Sequence, residues 1–133
     1  MKKEDLIGKV ALVTGGNRGI GSAIVIALVE ADADIALNYY TRESVASEVR
    51  TLVENLRRRC IIAQVNIAFT AEVTQMVKYI ETKLGPVNIL VNNAGIAHSQ
   101  TLETITEKDW NEIIDVNLKS TFLARQAVLS DMQ

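Results

Sequence analysis

The chain has 133 residues, enough for one domain with one core, and its 48% apolar and 23% charged content is ordinary for a soluble globular protein. A formal net charge of −2 supplies no global attraction to nucleic acid or to an anionic membrane, so neither is expected as a partner. No apolar stretch is long enough to span a bilayer, residues 1–5 lack an apolar signal core, and the single cysteine, Cys60, excludes an intrachain disulfide and argues against a cysteine-based zinc site, and no metal is expected; the cytoplasm is the expected compartment.

Residues 9–14 form the first β-like run, and Thr14-Gly-Gly-Asn-Arg-Gly-Ile-Gly21 follows it directly. Ile20, Ala23, Ile24, Ala27 and Leu28 then recur at helical spacing. Strand, glycine loop and helix form a phosphate cradle: glycines let the backbone turn and approach the anion, and the helix N-terminus offers unpaired N–H groups and a positive dipole end. A second strand is expected over residues 34–39, then a helix carrying Val45, Val49, Leu52, Val53 and Leu56. Arg57-Arg58-Arg59 falls at the end of that helix, where cations complement the dipole. Residues 60–65 read as a third strand, opened by Cys60 as a small buried hydrophobe. Val73, Met76, Val77, Ile80 and Leu84 mark the third helix, and Gly85-Pro86 punctuates it. The fourth strand spans residues 88–92 and runs into Asn92-Asn-Ala-Gly95. A fourth helix starts at Thr106, whose spacing to Asp109 predicts a capping box. It carries Trp110, Ile113, Ile114, Leu118 and Thr121 on one face and is expected to run to about residue 132.

Strands alternating with helices imply one α/β unit: a parallel sheet with right-handed crossovers and helices on both faces, in three αβα layers. The nearly all-apolar strands fit that double cover. The expected strand order is 3-2-1-4, the first half of a doubly wound sheet, with the ligand crevice between the first and fourth strands. The glycine loop and the Asn92–Gly95 turn converge on that crevice.

Thr14-Gly15-x-x-x-Gly19-x-Gly21, Asn92-Asn93-Ala94-Gly95 and Asn117 within Val116-Asn-Leu118 resemble, in order and spacing, the short-chain dehydrogenase/reductase superfamily, in particular its 3-oxoacyl-(acyl-carrier-protein) reductase type. The resemblance runs along essentially the whole chain and implies a Rossmann-like NAD(P)-binding domain over residues 1–133. It matches Gly15, Gly19 and Gly21 to the dinucleotide-binding glycines, with Asn17, Arg18 and Ile20 lining the same loop. Arg18 matches a position where a basic residue suits the 2′-phosphate of NADP, which a guanidinium fork fits. An NAD-preferring relative would carry an acid at the end of the second strand. Here Leu37-Asn-Tyr-Tyr-Thr-Arg42 has none, and Thr41 and Arg42 are expected to add phosphate contacts, so NADP(H) is favoured over NAD(H). Asn93, Ala94 and Gly95 match the motif flanking the adenosine ribose. Asn66-Ile67 departs from the family's usual aspartate and aliphatic pair, though an amide carbonyl can still accept from the adenine amino group.

The family's reaction, NADPH-dependent reduction of a ketone such as a 3-oxoacyl group, needs a serine, a tyrosine acid and a lysine four residues after the tyrosine. The lysine lets a phenol with a normal pKa near 10 exchange a proton near neutrality. In the family these residues follow the helix that bears Asn117. The resemblance therefore implies a domain truncated before the catalytic half, with Asn117, which in the family helps hold a proton path to the lysine, as the one member of the set here. Tyr79-Ile-Glu-Thr-Lys83 has the tyrosine-lysine spacing, but on a helix in the wrong chain order; it reads as surface residues at i and i+4. Asn92 and Asn93 also read as turn formers, Asn117 as a packing amide on the apolar stripe, and His98 as a solvent-exposed loop residue. An apolar fourth strand with no fifth beside it invites pairing with another chain. Three functions follow from this sequence: the cofactor half of a carbonyl reductase, a dinucleotide-binding module without turnover, and an interaction module joining a second copy or a longer relative through its open edge.

Overall fold

In the computed structural model, which describes residues 5–17, 19–95 and 103–133, the chain alternates strand and helix. The elements are β1 Val10–Val13, α1 Gly19–Glu30, β2 Asp34–Tyr39, α2 Glu43–Asn55, β3 Cys60–Gln64, α3 Thr70–Lys83, β4 Ile89–Val91, α4 Glu107–Ile114 and α5 Ser120–Met132. The sheet order is β3-β2-β1-β4, all parallel, with Leu12 level with Ala36 and Leu90, and Leu37 level with Ile62. This is the expected order. β1 and β2 are buried along their whole length because helices cover both faces. One core cluster packs α1 and α2 on the sheet through Val25, Val29, Val49 and Val53 against Val13, Ile35 and Leu37. The other packs α3 and α5 through Val73, Val77, Ile80 and Val128 against Leu12 and Ala36.

Several expectations shift. The third helix buries the stripe read for it, Val73, Met76, Val77, Ile80 and Leu84. In α1 the buried face is Gly21, Val25, Leu28 and Val29, while Ile20 is 75% exposed and Ala23 and Ala27 face out. That helix is apolar nearly all round, so periodicity alone does not select a face. In α2 the buried set is Ala46, Val49 and Val53, with Leu52 and Leu56 exposed. The fourth helix starts as expected: Asp109 N–H donates to Thr106 Oγ1 (3.1 Å) and Thr106 N–H to Asp109 Oδ2 (3.2 Å), closing the capping box. It is not one continuous α-helix, however, because a π-helical stretch, Asp115–Lys119, separates α4 from α5. Nor is its stripe core: α4 buries no residue, and Trp110 and Leu118 are exposed.

The basic cluster lies beyond α2 rather than in its last turn. Arg59 clasps the buried Asp34, donating from Nε (2.9 Å) and Nη2 (2.8 Å) to Oδ2 and from its backbone N–H to Oδ1 (2.9 Å). Nη2 also donates to Leu84 O (3.3 Å), so one guanidinium ties β2, β3 and the end of α3.

Both α1 and α2 end in Schellman turns around a non-glycine residue in the left-handed region. Asp32 has φ 74° and Arg57 φ 64°, with Ala33 N–H donating to Leu28 O and Arg58 N–H to Val53 O. Left-handed backbone costs a side-chain-bearing residue about 1–2 kcal/mol, partly offset because glycine loses more freedom on folding. Arg57→Gly is expected to raise the urea midpoint by the equivalent of about 0.5–1 kcal/mol, and Asp32→Gly by less, since aspartate tolerates this region better.

Across the α3–α5 contact, Asp131 Oδ2 accepts from Val87 N–H (3.0 Å), and the same carboxylate faces Glu81. Slight desolvation of this exposed residue, then the charge and hydrogen bonding of Asp131, raise the Glu81 carboxyl above its usual value. A carboxyl raised on folding contributes stability that is fully present below its unfolded pKa and lost as pH rises through its folded pKa. Glu81→Gln is expected to remove that slope, giving a small gain near neutral pH and none in acid, read from urea midpoints at the two pH values.

Candidate functional site

The carboxyl ends of all four strands open on one cleft of about 670 Å³, a size suited to a drug-sized or cofactor-sized ligand. Of the residues singled out in the sequence, Gly15, Asn17, Gly19, Thr41, Asn66, Ile67, Asn93, Ala94 and Gly95 line it. Arg42 lines an adjoining groove between α1 and α2, which shares Asn17 and Gly19 with the cleft. Ile20 points to solvent, and Gly21 lies buried behind the loop. Arg18 and His98 lie outside the described residues. Tyr79 and Lys83 sit on α3, away from the cleft lining.

Polar ties hold the glycine loop from both sides. Thr14, buried at the end of β1, accepts at Oγ1 from Asn93 N–H and Ala94 N–H (both 3.1 Å) and donates to Val91 O (3.4 Å). Asn93 Nδ2 donates to Gly15 O (3.1 Å), so its amide joins the turn after β4 to the loop after β1, while the residue also lines the cleft. On the other side, Asn38 Oδ1 accepts from Gly15 N–H (3.3 Å), and its Nδ2 donates to Val65 O (3.1 Å) and Ala63 O (3.4 Å). Gly21 closes the cradle from below, since a Cβ there would stand 2.5 Å from Gly15 O and 2.5 Å from Asn93 Nδ2. The first turn of α1 carries no acidic residue, so its N-terminal dipole faces the cleft uncancelled. These features fit a dinucleotide pyrophosphate: a preformed loop of backbone, close-packed glycine and a helix N-terminus.

Beyond the end of β3, Asn66 Oδ1 accepts from Ala68 N–H (3.0 Å), which leaves one lone pair and the amide NH₂ for a ligand. Asn117 is exposed and lies in the π-helical stretch, not on a buried stripe as its sequence position suggested. Its Oδ1 stands 3.2 Å from where a Gly95 Cβ would be, which brings Asn117 to the loop after β4, while its neighbours Asp115, Val116 and Lys119 line the cleft. Sequence reasoning missed Asn38, Tyr40, Phe69 and Lys119 as cleft residues. For Asn38 there was a signal, an amide inside an otherwise apolar strand; for the others there was none beyond position at strand or helix ends. Burial, then the charge of Glu43, raise the Tyr39 phenol above its usual value, the reverse of what a proton donor near neutrality needs. Burial and the charge of Glu54 push the Cys60 thiol up to about 12, leaving it an inert core group. Among the described residues no helix is long and apolar enough to cross a membrane.

Comparison with known proteins places this architecture. The model of the short chain dehydrogenase family matches residues 9–133. A 3-oxoacyl-(acyl-carrier-protein) reductase of Staphylococcus epidermidis is 36% identical over 126 residues, covering 95% of this chain and 52% of the relative. Its Synechocystis counterpart is 37% identical over 92% of this chain and 50% of the relative. Among solved structures, a blue fluorescent protein from a metagenomic library, in complex with NADPH, superposes with a TM-score of 0.90 at 41% identity, over 96% of this chain and 53% of that one. A short chain dehydrogenase from Burkholderia cenocepacia, in complex with NADP, gives 0.91 at 38% identity, over 94% and 51%. The chain thus spans about half the length of the curated relatives it matches.

Proposed function

This chain belongs to the short-chain dehydrogenase family, and on that premise we propose that it is the NADP(H)-binding portion of a carbonyl reductase. The observation that carries the reading is the preformed glycine cradle at the α1 N-terminus, opening on a cleft that reaches the turn after β2. NADP(H) rather than NAD(H) is favoured because that turn presents Thr41 and Arg42 and no acid before Glu43, so nothing there competes with a 2′-phosphate. The complexes of two structural relatives with NADPH and NADP support the choice. The family reaction would be hydride transfer from NADPH to a ketone such as a 3-oxoacyl group. Assayed by itself the chain binds cofactor without turnover, because among its described residues the one tyrosine-lysine pair at the required spacing lies on α3, off the cleft. Titration with NADPH is expected to shift and saturate the nicotinamide fluorescence at one equivalent, with NADH binding more weakly and no ketone-dependent loss of NADPH. Failure of both nucleotides to bind would end this reading, and ketone-dependent oxidation abolished by Tyr79→Phe would restore the α3 pair as a catalyst.

A second reading rests on a different surface. β4 is an edge strand whose Ile89, Leu90 and Val91 are only half buried, and Leu118, Phe122 and Leu129 are exposed on the neighbouring helical segment. Such an edge suits pairing with a second copy or a longer relative. Sedimentation is expected to show self-association, and a monodisperse monomer at high concentration would count against it.

A further inference from the structure

Arg42, the first residue before α2, adopts φ 65° and ψ 58°, the left-handed region, with no side-chain cap on the helix it starts. Helix N-caps normally take extended backbone and a small polar side chain, so a left-handed arginine here is strained and must be held by its surroundings. The holding group is Asn17. Its side chain is 5% exposed, and Nδ2 donates to Thr41 O (3.1 Å) and Arg42 O (3.5 Å). The same Arg42 carbonyl accepts from Val45 N–H (3.1 Å) and Ala46 N–H (3.2 Å), the first bonds of α2.

The amide nitrogen of Asn17 is thus turned to the turn after β2, through a firm bond to Thr41 O and a longer contact to Arg42 O. We infer that Asn17 is a positioning residue that sets 2′-phosphate discrimination by stapling the glycine loop to the Thr41–Arg42 turn. The inference rests on the cofactor reading above and adds a division of labour to it. The backbone of the glycine loop would hold the pyrophosphate, whereas the turn after β2 would meet the ribose of the adenosine. One buried amide spans the two and fixes their separation. Without it Arg42 is free to leave the left-handed region, and the turn that would offer Thr41 and Arg42 to a 2′-phosphate loses its fixed form. NADH, which has no such phosphate, loses little.

The test is a double-mutant cycle read as the ratio of NADPH to NADH dissociation constants, measured by fluorescence on the full chain. Asn17→Ala is expected to lower the preference for NADPH about tenfold, the size of the left-handed penalty it releases, with NADH affinity changed less than about threefold. In an Arg42→Gly background, where the strain and the guanidinium are both gone, the same Asn17→Ala change is expected to move the ratio less than about twofold. Equal weakening of both nucleotides, or the same tenfold loss in both backgrounds, overturns the inference. Should Asn17→Ala lose its far-UV helical spectrum, Asn17→Ser, which keeps one donor, is read the same way: a selective loss for NADPH supports the role, and equal weakening overturns it. A wild-type chain that binds neither nucleotide refutes the cofactor reading instead, so the two failures are separable.

Discussion

Gly21→Ala is expected to weaken NADPH binding by on the order of a hundredfold, while Gly19→Ala, two residues away in the same loop, costs about tenfold or less. The contrast is steric. A methyl at position 21 would meet Gly15 O and Asn93 Nδ2 at 2.5 Å and Gly16 Cα at 3.0 Å. Two of these three are backbone atoms of the cradle itself, and the third is the amide that donates to Gly15 O, so none is a flexible chain end. Relief requires the loop to move away from α1, and a cradle displaced by an ångström no longer presents its N–H groups to a pyrophosphate. Overpacking of this kind also destabilises the fold, by about 1–3 kcal/mol. At Gly19 an added Cβ has open space, and only the left-handed φ of 51° is penalised, by about 1–2 kcal/mol. Parallel NADPH titrations and urea melts of the two variants measure both effects. Near-equal behaviour of the pair would show that the packing beneath the loop is looser than the geometry given above.

Thr14→Val is expected to be the most destabilising isosteric change at the site. The hydroxyl accepts two backbone N–H groups, from Asn93 and Ala94, and is itself 1% exposed. Valine keeps the shape and removes the acceptor, leaving both donors and Val91 O without that partner in a part-buried setting. Each unsatisfied buried group costs about 1–3 kcal/mol, so a loss of about 2–5 kcal/mol is expected, with NADPH affinity falling as the β4 turn separates from the loop. Thr14→Ser, which restores the hydroxyl, is expected to stay within about 1 kcal/mol of the parent. Denaturant unfolding of the three proteins decides it: a valine variant as stable as the serine one would mean that the hydroxyl does not bind the two turns together.

Where pattern and physics coincide, the sequence reveals the fold. The strand order, the α3 stripe from Val73 to Leu84 and the Thr106–Asp109 box were all legible. Each rests on a local rule with one outcome: a crossover has one hand, a stripe on an otherwise polar helix has one face, and a cap has one spacing. α1 was misread because Ile20, Ala23, Ile24, Val25, Ile26, Ala27, Leu28 and Val29 leave no polar face to orient it. The helical segment after Thr106 was misread in the opposite way. Its apolar residues do form a pattern, but Trp110 and Leu118 face outward, and a pattern records the wish for cover rather than the cover itself. Within the cleft, the glycine loop and the turn after β4 were plain. The polar staples were not, because whether Asn17 and Asn38 face a ligand or a neighbouring carbonyl depends on contacts 24 and 27 residues away. Arg59 likewise reads as complementing a helix dipole, whereas its partner, Asp34, is at the start of the adjacent strand.

The hydroxyl of Thr14 and the backbone N–H of Asn93 are separated by 79 positions along the chain. As the polypeptide is made, β1 and its glycines therefore emerge long before the groups that shape them, with two strands and three helices between. The glycine cradle takes its described form only once β4 has docked beside β1 and brought the turn after it to Thr14. A cofactor that binds the finished cradle then acts on that docking by mass action, drawing newly made chains toward the docked state.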